Sequence, residues 1–180
     1  MRNVSEIKEL LKELDARPAD ELEGQDLDFK EWDLRSRKTA VGTVIEMAIC
    51  MANGSGGTVV FGVNDKAVGR EKAILGVPPE VDVNLLKKAV YDSTDPKLTP
   101  VFEELSVPEG TGRLLVMQIH PGLPPYTDTA GGGKVRIGRD CMPLTGTLRR
   151  RIMVETGETD LTAVEIPDRP SSAISAVAME

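Results

Sequence analysis

Between Ser36 and Val63 the chain carries a pattern that few folds can accommodate. Val41, Val44, Ile45, Ala48, Ile49 and Met51 place apolar side chains nearly all round a helix, so this segment is predicted to be helical to about Ala52 and largely buried. Ser36 and Thr39 are its candidate N-caps, because a hydroxyl there can accept a hydrogen bond from an otherwise orphaned amide. Asn53-Gly54 supplies a left-handed stop, and Ser55-Gly56-Gly57 turns the chain. Thr58 to Val63 is rich in β-branched residues and is predicted as a buried strand, ending in the turn pair Asn64-Asp65.

Other elements follow from periodicity. Val4, Ile7, Leu10, Leu11 and Leu14 recur at helical spacing, and Pro18 ends that helix through the restriction it places on Arg17. Leu27 and Phe29 alternate with Asp28 and Lys30, the period of a strand. Leu85 to Tyr91 resembles a short helix, Val101 to Leu105 a strand, Arg113 to Ile119 a strand, and Lys134 to Ile137 a last strand with alternating basic and apolar residues. A basic helix starts at Leu148. Helices interleaved with strands, and consecutive strands late in the chain, predict an α+β (mixed α/β) domain with a mixed sheet flanked by helices. Residues 1–16 are assigned to an N-terminal amphipathic helix, 17–152 to the compact domain and 153–180 to an acidic linker.

Charge is distributed unevenly. The net charge is −7, but Met1 to Asp33 contributes −6 and Ile152 to Glu180 contributes −5, while Leu34 to Lys72 and Pro96 to Arg151 are each +3. A local basic face is thereby permitted in an acidic chain. Aromatics make up only 3%, too few for a platform that stacks single-stranded bases. No apolar run approaches the ~20 residues that span a bilayer, and the charged N-terminus is not a signal peptide. Cys50 and Cys141 show no metal-like spacing, and are expected as two reduced thiols in a cytoplasmic protein.

The residues with chemical potential are few. Asp28 and Lys30 put a carboxylate and an ammonium on one strand face, a pairing that phosphodiester-cleaving sites use to hold Mg²⁺ and steady charge on phosphate. Glu23 and Asp65 are the companions such a metal site would need. On the residues alone, a surface Asp–Lys pair contributing under ~1 kcal/mol is the favoured reading. Arg136, Arg139, Arg149, Arg150 and Arg151 are the candidate phosphate contacts, together with Lys30, because guanidinium forks match phosphate oxygens. Neither glycine-rich stretch has the strand–loop–helix order of a phosphate cradle, and the lone His120 cannot build a triad.

Leu27-Asp28-Phe29-Lys30-Glu31, the segment Ala52 to Asp65 (ANGSGGTVVFGVND) and Val135-Arg136-Ile137-Gly138-Arg139 together resemble the Schlafen-type AlbA-like domain, a family associated with DNA binding. The family pattern is an E-F-K strand, a helix ending in A-N-x-x-G-G, a strand reading into G-V-x-D, and a late R-x-G strand; here Asp28 stands where Glu is usual. The resemblance implies a nucleic-acid-binding module of a larger bacterial regulatory or ATP-binding protein, with DNA or RNA as partner and a further C-terminal domain following the linker. It also implies an alternative, a Mg- or Mn-dependent endoribonuclease using Glu23, Asp28 and Asp65 with Lys30 as electrostatic helper; otherwise no cofactor is expected. A protein- or nucleotide-binding regulatory domain is the third reading. No membrane association is expected, and dimerisation through an edge strand or the first helix stays open. The chain is expected to be the N-terminal part of a longer protein, with Ser175 to Glu180 a helix cut partway.

Overall fold

Alternate residues of the central strands feed two separate hydrophobic cores, and this divides the molecule into layers. The structure is a computed structural model and describes residues 1–123, 125–155 and 157. Its elements in chain order are α1 (Val4–Leu11), β1 (Leu27–Lys30), α2 (Arg37–Asn53), β2 (Gly57–Phe61), α3 (Arg70–Ala73), α4 (Val83–Ser93), β3 (Thr94–Asp95), β4 (Val101–Ser106), β5 (Arg113–Ile119), β6 (Thr127–Asp128), β7 (Lys134–Ile137), β8 (Asp140–Pro143) and α5 (Gly146–Glu155).

A four-stranded sheet runs in the order β1-β2-β5-β4, with β1 parallel to β2 and the other pairs antiparallel. Val59, Phe61, Leu115 and Met117 point to one face, where α2 and α4 close the first core. Val60, Leu114, Val116 and Phe29 point to the other, against Ile7 and Leu11 of α1 and Leu14 just beyond it. The period-2 alternation of the strands builds this helix–sheet–helix arrangement directly. The expected α+β class with a mixed, helix-flanked sheet is what the chain adopts.

Local expectations met several outcomes. Ser36 is the N-cap of α2, its hydroxyl accepting from the Thr39 amide at 3.1 Å. Trp32 lies in the first core, edge-on to Phe61 with ring centroids 6.2 Å apart. The stop after α2 differs from expectation: Gly54 has φ −81°, and the left-handed residue is Gly56 at φ +77°. A Cβ on Gly56 would sit 2.5 Å from the Ile119 carbonyl oxygen, so the turn requires glycine there for close approach as well as for backbone sign. Asn53 is instead a buried clamp. Its amide donates to the carbonyls of Tyr126 and Lys134, each at 2.8 Å, and its oxygen accepts from the Tyr126 amide at 2.6 Å.

The cysteines require a correction. Cys50 of α2 and Cys141 of β8 form a disulfide with Cα atoms 5.9 Å apart, where two free thiols were expected. Ninety-one positions separate them, and only the packing of the β7–β8 hairpin along α2 brings them together. Among the described residues, no helix is long and apolar enough to cross a membrane. The segment assigned to the acidic linker lies outside the described residues beyond Gly157, as does the helix expected at Ser175 to Glu180.

Candidate nucleic-acid interface

β1 lies at one edge of the sheet, and its Asp28 shares the α2 face because it registers with Val59. That face is roofed by β7, which packs against α2. Asp28 is therefore buried at 1% exposure, rather than forming half of a surface pair. Its Oδ2 pairs with the Arg136 guanidinium, itself 3% exposed, and its Oδ1 faces the Lys30 ammonium at 2.8 Å. The remaining Arg136 donors reach the carbonyls of Gly24 (2.8 Å) and Leu27 (2.9 Å), so the guanidinium seals the open backbone edge beside β1. The cation read from sequence as a phosphate contact is thus an internal strut. With four of its five N–H donors bonded inside the fold and 3% of its surface exposed, this arginine is closed to a phosphate backbone.

Gln25, which the sequence did not mark, fixes the same strand from outside. Its amide nitrogen donates to the Arg136 carbonyl at 3.0 Å, and its oxygen accepts from the Gly138 amide at 2.8 Å. An isolated Gln in an acidic loop carries no signal of this role. Asn53 carried one, since a polar residue closing an apolar helix must find buried partners.

Glu23 accepts a hydrogen bond from the Phe29 amide at 3.1 Å. Its carboxyl is pushed above the ordinary value, first by burial, then by repulsion from Asp28, with Asp65 adding to it and Lys30 opposing. Glu23 therefore feels both other acids, yet their arrangement does not suit a divalent cation. Asp28 has a cation against each oxygen, and among the described residues no group of three His, Cys, Asp or Glu side chains is placed to hold a metal.

A raised carboxyl pKa stabilises the fold fully below the unfolded value near 4.5, and that contribution is lost as pH rises through the folded value. Glu23→Gln keeps an acceptor for Phe29 and removes the charge. Thermal unfolding is expected to show a Tm higher than wild type at pH 7, with the gain gone below pH 4.5. Equal Tm values at both pH values would remove the electrostatic conflict described here.

The other predicted cations stand as follows. Lys30 is 34% exposed while held by Asp28. Arg139 is exposed but donates to the Asp20 carbonyl at 2.9 Å. Arg149, Arg150 and Arg151 are exposed on α5; Arg151 pairs with Glu155 at 2.8 Å, Arg150 donates to the Gly146 carbonyl at 3.3 Å, and among the described residues Arg149 makes no ion pair. An apolar groove of about 490 Å³, lined by Trp32, Leu34, Val41, Val81 and Leu85, also has three acids, Asp33, Glu80 and Asp82, against one base, Arg37, in its lining, a balance unsuited to a phosphate backbone.

A mixed sheet between helical layers, with an arginine-sealed edge strand and a side-chain-anchored hairpin, defines a small α+β domain. The chain belongs to the Schlafen AlbA_2 family: a sequence model described as Schlafen, AlbA_2 matches residues 23–145. No curated protein matches the chain. Among solved structures, the DIP2311 protein of Corynebacterium diphtheriae is similar at TM-score 0.60 and 22% identity, over 78% of this chain and 29% of that one. The N-terminal domain of a RecG-related protein of Nitrosomonas europaea is similar at TM-score 0.47 and 22% identity, over 76% of this chain and 88% of that one. The chain thus spans less than a third of the length of the Corynebacterium protein.

Proposed function

We propose that this domain binds nucleic acid through phosphate contacts, without reading base sequence. The observation that carries the reading is the run Arg149-Arg150-Arg151, exposed on α5 in a chain whose net charge is −7. Three consecutive exposed guanidinium groups present planar forks that suit phosphate oxygens, Arg149 making no ion pair among the described residues. Membership of the Schlafen AlbA_2 family, associated with DNA binding, supports the same direction. Arg139 and Lys30 serve as secondary contacts, each with donors left over from its internal bond. The module works as part of a larger regulatory protein, DNA or RNA being equivalent to a contact that sees only backbone.

Binding that releases counterions weakens steeply with salt. Fluorescence anisotropy with a short DNA duplex and an RNA stem, each over a salt series, is expected to give affinities falling linearly on logarithmic axes. Absent binding at low salt, or affinity independent of salt, would contradict the proposal.

A further inference from the structure

The β7–β8 hairpin is attached in an unusual way. Its two strands pair only with each other, and among the described residues no main-chain ladder joins them to the four-stranded sheet. Side chains hold it instead. At β7 these are Arg136, on Asp28 and the Gly24 and Leu27 carbonyls, with Gln25 and Asn53 gripping the β7 backbone. At β8 the attachment is the Cys50–Cys141 disulfide. The other side chains of β8 are exposed, whereas Val135 and Arg136 of β7 are buried. The hairpin therefore has a polar anchor on one strand and a covalent anchor on the other.

We propose that the Cys50–Cys141 disulfide is a reducible latch for this hairpin: a dithiol reductant opens it, β8 lifts from α2, and β7 stays docked. Cys141 is half-buried at the hairpin surface while Cys50 is fully buried, so the entering thiolate attacks the Cys141 sulfur. The bond between the two cysteine sulfurs breaks, and Cys50 leaves as a thiolate that takes up a proton. A mixed disulfide forms on Cys141, and the second thiol of the reductant resolves it. Cys141 is released as a thiol and the reductant becomes a cyclic disulfide, with two electrons passed to the protein. Cys50 then remains as a fully buried thiol on α2.

The latch has a consequence for binding. Arg139 lies in the turn between the two strands, and α5 with its three arginines follows β8 directly. Freeing β8 loosens the turn and the connection to α5, so reduction lowers affinity for phosphate backbones. This coupling rests on the proposed function; the latch itself does not.

The test is hydrogen exchange read by mass spectrometry on the full chain, air-oxidised, treated with dithiothreitol, and reoxidised, beside Cys141→Ser. Reduction is expected to speed exchange at least tenfold in the peptide covering residues 140–143, leave β2 and β5 unchanged, and reverse on reoxidation. Cys141→Ser is expected to show the reduced pattern with or without dithiothreitol. Two alkylatable thiols in the oxidised sample, unchanged exchange in the hairpin, or loss of protection across the whole sheet on reduction would each overturn the latch. Anisotropy with the same samples separates the two ideas. No binding by the oxidised protein defeats the proposed function, and equal affinity in both redox states defeats only the coupling.

Discussion

Asp28→Ala is expected to destabilise the domain by about 3–5 kcal/mol, the range for removing one partner of a buried ion pair. The Arg136 guanidinium would remain buried with its charge uncompensated, still held by the Gly24 and Leu27 carbonyls. Urea or thermal unfolding measures the loss, which for a domain of this size corresponds to a Tm lower by roughly 6–20 °C. Asp28→Asn should lose clearly less, because its amide oxygen still accepts from the guanidinium. The sign of the effect is informative. A carboxylate kept for metal binding among other acids would leave the fold more stable when removed, so a rise in Tm for Asp28→Ala would restore the metal reading that the geometry opposes.

Loss of the disulfide is the second large effect. Cross-linking positions 91 apart restricts the unfolded chain, and the loop-closure estimate for that length is about 4–5 kcal/mol at 25 °C. Cys141→Ser, or wild type in dithiothreitol, is therefore expected to unfold at a Tm lower by roughly 8–20 °C, with the native baseline retained at 25 °C. The two treatments should agree within error, since both remove the same constraint. A Tm unaffected by dithiothreitol would mean that the covalent link contributes nothing to the closed hairpin.

What could be read from the chain divides along local and non-local lines. β5 and β7 begin and end where their apolar runs predicted, and α2 starts at its predicted cap, because those signals lie within a few residues. Strand β8 was missed: Asp140-Cys141-Met142-Pro143 has no clean alternation and is mostly exposed, so only its pairing with β7 defines it. Arg136 was misread for a similar reason. Alternation along Lys134-Val135-Arg136-Ile137 suggested a solvent-facing basic row, but Asp28, 108 positions away, draws the guanidinium inward. Exposure of Ile137 at 48% is the other side of that exchange. Of the three acids that the family resemblance implied as metal ligands, Glu23 feels the charges of Asp28 and Asp65, while Asp28 is paired with Lys30 and Arg136. In each case the deciding partner came from a different segment, which periodicity cannot reveal.

The central claim is that phosphate meets the exposed arginines of α5, while Arg136 belongs to the interior. Its most direct test is the salt dependence of duplex binding for wild type beside Arg149→Gln/Arg150→Gln/Arg151→Gln, a variant that leaves the core and the Asp28–Arg136 pair untouched. Each lost phosphate contact lowers the slope of log affinity against log salt by about 0.9, so the triple change is expected to reduce it by roughly 2–3 and to weaken low-salt binding strongly. A variant that folds normally and keeps the wild-type slope would contradict the account.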